Sequence, residues 1–174
     1  MKIQLFRRYL LPVLLMFVLG IVPLYPLGMG DRAPLVNIRQ RDGGMFILAQ
    51  YRNKKHVIMS FFHHDCLPCV PEIVHLQKLK KSCNNLEVIV VSDVDTDSSK
   101  AESFLKKVER RNGAPLTLRV GVDPFGDTKS EYRVTRHPTL FLIDTQGHII
   151  YTATGYSEDK AHLLDDAVRR LCGN

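Results

Sequence analysis

From Val57 to Phe62 the chain is apolar at five of six positions, and only Ser60 interrupts the run. A short stretch rich in β-formers, without polar alternation, predicts a strand buried on both faces. Glu72 to Leu79 then reads as a helix, within a crossover from Pro71 to Lys81, and Leu86 to Ser92 repeats the buried-strand pattern. Two parallel strands need such a crossover, so the three segments predict one βαβ unit. Before it, Leu35–Arg39 and Met45–Leu48 predict a small hairpin around Asp42-Gly43-Gly44, and Asn53-Lys54-Lys55 a solvated turn. After it, Ser99-x-x-Glu102 has the form of a capping box opening a helix to about Arg111, which Asn112-Gly113 stops. Val120–Asp123 predicts a short strand and Asp127–Tyr132 a short helix. Thr139–Asp144 and His148–Thr154 predict a hairpin around Gln146-Gly147. Ser157 caps a final helix to Leu171, with Glu158 and Asp159 in its first turn.

The N-terminus departs from this alternation. Lys2, Arg7 and Arg8 precede a largely apolar stretch from Tyr9 to Leu27. Basic-then-apolar is the pattern of an export signal or a signal anchor. Pro12, Pro23 and Pro26 shorten any ideal helix there, and Gly28-Met29-Gly30 lacks the Ala pattern of a good cleavage site. No Cys follows it closely, which argues against a lipoprotein. The expectation is a retained anchor over residues 1–30, with a cleaved signal peptide as the alternative, and one domain over 31–174. Composition agrees with one globular domain: 174 residues, 45% hydrophobic and 24% charged. The net charge of +6 owes half to Lys2, Arg7 and Arg8. What remains is too weakly basic to argue for nucleic acid.

Cys66-Leu67-Pro68-Cys69 falls between the first buried strand and its helix. A thiol at a helix N-terminus is biased toward thiolate by the macrodipole, and two thiols this close can close and reopen a disulfide. Half of a zinc site, or two inert buried cysteines, is the competing reading; the strand–helix context favours redox. Cys66 is the expected exposed nucleophile and Cys69 the buried resolving thiol, with Leu67 and Pro68 holding the sulfurs in register. Glu72 shares a helix face with Cys69, three residues away, and is placed to take its proton. Asp65 opposes a Cys66 thiolate by its charge, while a protonated His64 favours it. His63, His64 and His137 with the cysteines would make a soft metal site. Strand alternation puts His63 and His64 on opposite faces, so no metal is expected. His56, His75, His148 and His162 read as surface residues. Asp93, Asp95 and Asp97 do not make a calcium loop, because Ser98 and Phe104 stand where Gly and Glu are needed.

The C-x-P-C-x-x-E of Cys66, Pro68, Cys69 and Glu72, and the His137-Pro138-Thr139-Leu140-Phe141-Leu142-Ile143-Asp144 segment with Gly147, resemble the thioredoxin superfamily. The likeness is greatest to membrane-anchored, extracytoplasmic reductases of the TlpA/ResA type, and it runs from Ala33 to Leu171. One departure is Asp65, where the family usually has Trp before the first Cys. The resemblance implies a thioredoxin-like α/β fold, a central mixed sheet flanked by helices, with the hairpin added at its N-terminus. It implies a cis Pro138 facing the dithiol, and His137 presenting its backbone to the substrate chain beside Leu67 and Pro68. It supports an active-site role for Glu72, since Ser60 stands where thioredoxins bury an acid. In such a fold the helices ending at Cys83 and Cys172 run side by side, which makes a structural Cys83–Cys172 disulfide the expectation.

The implied activity is extracytoplasmic thiol:disulfide exchange, reducing disulfides of exported client proteins, those of cytochrome c maturation among them. A copper or zinc handling module, or a net oxidase or isomerase, is the alternative. No organic cofactor is implied. Electrons would come from a membrane electron-donor protein, and the enzyme would work at the periplasmic face of the inner membrane.

Overall fold

The computed structural model describes residues 26–93 and 98–173. Seven strands form one sheet: β1 (Asn37–Gln40), β2 (Met45–Ile47), β3 (His56–Phe62), β4 (Leu86–Asp93), β5 (Arg119–Asp123), β6 (Thr139–Ile143) and β7 (Ile149–Thr154). Four α-helices accompany them: α1 (Cys69–Ser82), α2 (Ser98–Asn112), α3 (Asp127–Glu131) and α4 (Glu158–Cys172). The order across the sheet is β2-β1-β5-β4-β3-β6-β7. β3, β4 and β5 are parallel, and β6 runs antiparallel to β3. This is the mixed, helix-flanked sheet of a thioredoxin-like fold.

β3 lies at the centre of the core because its period of two serves both faces at once. Ile58 and Phe62 join a layer built with Ile73, Leu76, Phe104, Leu105, Leu164 and Val168 from the three long helices. Val57, Met59 and Phe61 join the opposite layer with Ile38, Phe46, Tyr132 and Phe141. Every residue of β3 is buried, Ser60 included. Each such apolar side chain contributes about 1.5–3 kcal/mol of transfer free energy. Alternation therefore puts Ser60, between Ile58 and Phe62, on the helical side.

Packing is tight where β5 meets its neighbours. A Cβ at Gly121 would stand 2.6 Å from Ile38 Cγ2 and 3.2 Å from Ile89 Cδ1. Only a hydrogen fits there. The β6–β7 turn needs glycine for another reason, because Gly147 has φ +88°.

Several boundaries differ from expectation. The first hairpin strand starts at Asn37, not Leu35. The second keeps its start at Met45 but ends at Ile47, after which the chain coils into a 3-10 turn, Leu48–Tyr51. β3 begins one residue early, since the His56 N–H bonds Asn85 O at 2.9 Å. His56 is consequently buried, not a surface residue, and burial pushes its imidazole below the ordinary histidine range. α2 starts at Ser98, so Ser99 lies inside its first turn and is not the cap. Residues 94–97, which hold Asp95 and Asp97, and the proposed anchor up to residue 25 lie outside the described residues. Among the described residues, no helix is long and apolar enough to cross a membrane.

The topology decides where chemistry can sit. Parallel β3, β4 and β5 all end at one edge of the sheet, and α1 starts from that edge. β6 starts there too, with Thr139 opposite Phe61. Cys66 and Pro138 therefore belong to the same edge. In open α/β sheets ligands gather beyond the carboxyl ends of the strands.

Candidate active site

Cys66 and Cys69 form a disulfide, with S–S 1.98 Å and Cα–Cα 5.4 Å. The segment between them is a turn that precedes the helix. Cys69 N–H bonds Cys66 O at 3.2 Å and Val70 N–H bonds Leu67 O at 3.2 Å, three residues back in each case. Pro68 is the residue before α1 and Pro71 lies in its first turn, where a missing N–H leaves no bond unmade. Cys69 N–H also donates to Cys66 Sγ at 3.2 Å. In the reduced state the same N–H and the helix terminus favour a thiolate on Cys66. The two sulfurs differ in access. Cys66 is half-buried and Cys69 is 0% exposed. Leu67, beside them, is 79% exposed, and Pro68 is exposed as well.

Glu72 is the fourth residue of α1 and only 5% exposed. Its partner is Ser60, whose hydroxyl donates to Glu72 Oε1. The pair is local in origin: strand alternation turns Ser60 toward α1, and the helix turns Glu72 toward the sheet on the face of Cys69. Burial pushes the Glu72 carboxyl up to about 7, while the Ser60 hydrogen bond and the Lys160 charge pull it back down. A carboxyl in this range exchanges its proton near neutral pH, as an acid–base partner must.

Pro138 is buried, and the His137–Pro138 bond is cis. Gly155 N–H bonds Pro138 O at 2.7 Å, and Thr139 Oγ1 bonds Arg136 O at 2.8 Å, so the loop is held on both sides of the proline. Its other neighbour is the end of β7. Lys160 Nζ donates to Thr154 O and, at 3.4 Å, to Gly155 O. Tyr151 OH donates to Lys160 O at 3.0 Å. Lys160 thus ties the loop holding Pro138 to the charge environment of Glu72. Sequence reasoning missed both Lys160 and Tyr151, and no local pattern marks either.

The redoxin family profile matches residues 29–168. The chain belongs to the redoxin family. Over 144 residues this redoxin is 26% identical to the thiol-disulfide oxidoreductase ResA of Bacillus thuringiensis, covering 82% of this chain and 78% of the relative. Over 127 residues it is 29% identical to the thiol:disulfide interchange protein HelX of Rhodobacter capsulatus, covering 72% and 68%. Among solved structures, a Chlorobium tepidum chain described as a thiol:disulfide interchange protein DsbE superposes with a TM-score of 0.71 at 25% identity. That match covers 84% of this chain and 99% of the other. This redoxin is a thiol:disulfide oxidoreductase.

The histidines of the redoxin are arranged differently from expectation. β3 ends at Phe62, so strand alternation does not reach His63 and His64. Their rings lie on the same side, with centroids 4.0 Å apart, not on opposite faces. His63 is also 6.1 Å from the His137 ring. Asp65 Oδ2 lies 3.2 Å from His64 Nε2 and 4.0 Å from His63 Nδ1. His75 is half-buried, not a surface residue: its Nε2 lies 2.9 Å from Asp165 Oδ1 and links α1 to α4. His148 is partly exposed, with Nδ1 3.8 Å from Asp144 Oδ2, and His162 is exposed.

Away from the dithiol, the redoxin carries a second disulfide. Cys83, just past the end of α1, and Cys172, at the end of α4, are joined with Cα–Cα 5.9 Å across a sequence separation of 89. Cys83 is buried within the helical core layer, and Cys172 packs against it.

Proposed function

We propose that this redoxin is an extracytoplasmic reductase that opens disulfides in exported client proteins, including those of cytochrome c maturation. In this reading residues 1–30 anchor it to the membrane and residues 31–174 form the catalytic domain. The observation that carries it is the asymmetry of the dithiol: a reachable Cys66, a fully buried Cys69 and a buried carboxyl on the same helix face. The Cys66 thiolate attacks one sulfur of a client disulfide. A Cys66–client bond forms, and the other client sulfur leaves as thiolate and takes up a proton. Cys69 then gives its proton to the Glu72 carboxylate and attacks Cys66 Sγ. The second client thiolate departs, and two electrons have moved from the enzyme to the client. The Cys66–Cys69 disulfide left behind is the form seen here, and a membrane electron-donor protein with its own dithiol would reopen it. Leu67, Pro68 and the His137 backbone flank the path of the client chain. Pro68 before the second cysteine supports the reductive direction, through its likeness to reductive members of the superfamily.

The test is equilibration against dithiol couples of known potential. A reductase should poise near thioredoxin, about −270 mV, and a value near −120 mV would make it an oxidase instead. Cys66→Ser should abolish reduction of a model protein disulfide, and Cys69→Ser should accumulate mixed disulfides. Fractionation should find the full chain in the membrane with its thiols outside the cytoplasm.

A further inference from the structure

We propose that His63, His64 and Asp65 form a binding site for a borderline divalent cation, Zn²⁺ or Cu²⁺, beside the dithiol and independent of both cysteines. One ligand atom from each residue already lies within 4.8 Å of the others. Two ligands bound tetrahedrally at 2.0–2.1 Å are separated by about 3.3 Å. The 3.2 Å between Asp65 Oδ2 and His64 Nε2 matches that spacing. The 4.0 Å to His63 Nδ1 needs to close by less than about 1 Å, within reach of a small ring rotation.

The protonation pattern fits as well. The Asp65 backbone N–H points at His63 Nδ1 at 3.4 Å, which makes that nitrogen the unprotonated one; the contact is long, and a bound cation takes the place of the N–H on its lone pair. A cation needs that lone pair. The ligands also hang from a defined turn. Cys66 N–H bonds His63 O at 3.0 Å, and the turn runs from a fully buried strand into a closed disulfide. The two imidazoles are partly buried and held together, whereas Asp65 is 80% exposed and gives the cation an entrance. Two nitrogens and one carboxylate oxygen suit Zn²⁺ or Cu²⁺ and not Ca²⁺ or Mg²⁺. Three protein ligands leave one tetrahedral position open, and the His137 ring stands 6.1 Å from that of His63.

The experiment uses the untagged full chain with both disulfides closed, so that no thiolate competes. Zn²⁺ is titrated against a chromogenic chelator at neutral pH. One Zn²⁺ per chain should bind. His63→Ala and Asp65→Asn should each weaken it by at least about tenfold, while His148→Ala and His162→Ala leave it unchanged. Asp65→Asn alters an exposed side chain outside the core, so its thermal unfolding should match the parent and keep the comparison valid. Absence of binding, or binding indifferent to both site variants, overturns the proposal. Binding that appears only after reduction and disappears in Cys66→Ser also overturns it, and assigns the metal to the thiols.

Discussion

Ser60 donates a hydrogen bond to Glu72 across the buried layer between β3 and α1. A hydroxyl this deep in a core costs free energy unless it is paired, and so does a carboxyl. Each satisfies the other. The arrangement keeps a titratable group on the helix face of Cys69 without opening the core to water.

Glu72 should make stability depend on pH. Its folded value is about 7 against an ordinary 4.5, so between those limits the folded protein holds a proton that the unfolded chain releases. Stability contributed by that proton is complete below about pH 4.5 and is lost as pH rises through 7, by about 3 kcal/mol in all. Urea unfolding of the oxidised protein should show the decline, and Glu72→Gln should flatten it. Glu72→Gln should also slow resolution of mixed disulfides. An unchanged pH–rate profile would leave the carboxyl without a catalytic part.

Ser60→Ala removes the donor that favours the Glu72 carboxylate. The midpoint of the Glu72-dependent step should move above 7, toward alkaline pH. At pH 8, where the carboxylate is then left short of a partner, stability should fall by about 1–3 kcal/mol. Stopped-flow measurement of the resolution step across pH checks the first effect, and equilibrium unfolding the second.

These two residues also show what sequence makes legible. Ser60 is the only break in an apolar strand, and Glu72 follows Cys69 by less than one helical turn. Period alone sends both to the same layer. The buried strands β3 and β4, the hairpin β6–β7 and the Ser157 cap, which accepts from Lys160 N–H at 3.4 Å, have equally local causes. Lys160 and Glu72, or His75 and Asp165, do not. Lys160 acts on Glu72 through its charge, and His75 reaches Asp165, because α4 packs back against α1, and no period in either helix encodes that. His63 and His64 escape legibility for a different reason: strand alternation holds only as far as Phe62, where the strand stops and a turn begins.

Cys83→Ser with Cys172→Ser should lower stability by about 2–5 kcal/mol in the oxidised protein, because the crosslink restrains a long stretch of the unfolded chain. The rate of disulfide exchange at Cys66 should not change, since the bond lies at the far end of α1. Denaturant midpoints and exchange kinetics on the same variant separate the two. An equal loss of both would show that the distal bond positions the dithiol.

Gly121→Ala should destabilise by about 1–3 kcal/mol through the clash with Ile38 Cγ2. Ile38→Ala alone should also destabilise, by opening a cavity. Combined, the two should cost less than their sum, and a double-mutant cycle measures that coupling. Strict additivity would mean that the hairpin shifts away freely.

α1 carries one cysteine at its first residue and another just past its last. At 1.5 Å per residue the helix holds Cys69 and Cys83 about 21 Å apart. Four cysteines permit three pairings, but once this helix has formed the Cys69–Cys83 pairing is geometrically closed. α1 therefore acts as a ruler that sorts the thiols. The Cys66–Cys69 pair can open and close while the helix keeps the buried Cys69 out of reach of the distal bond.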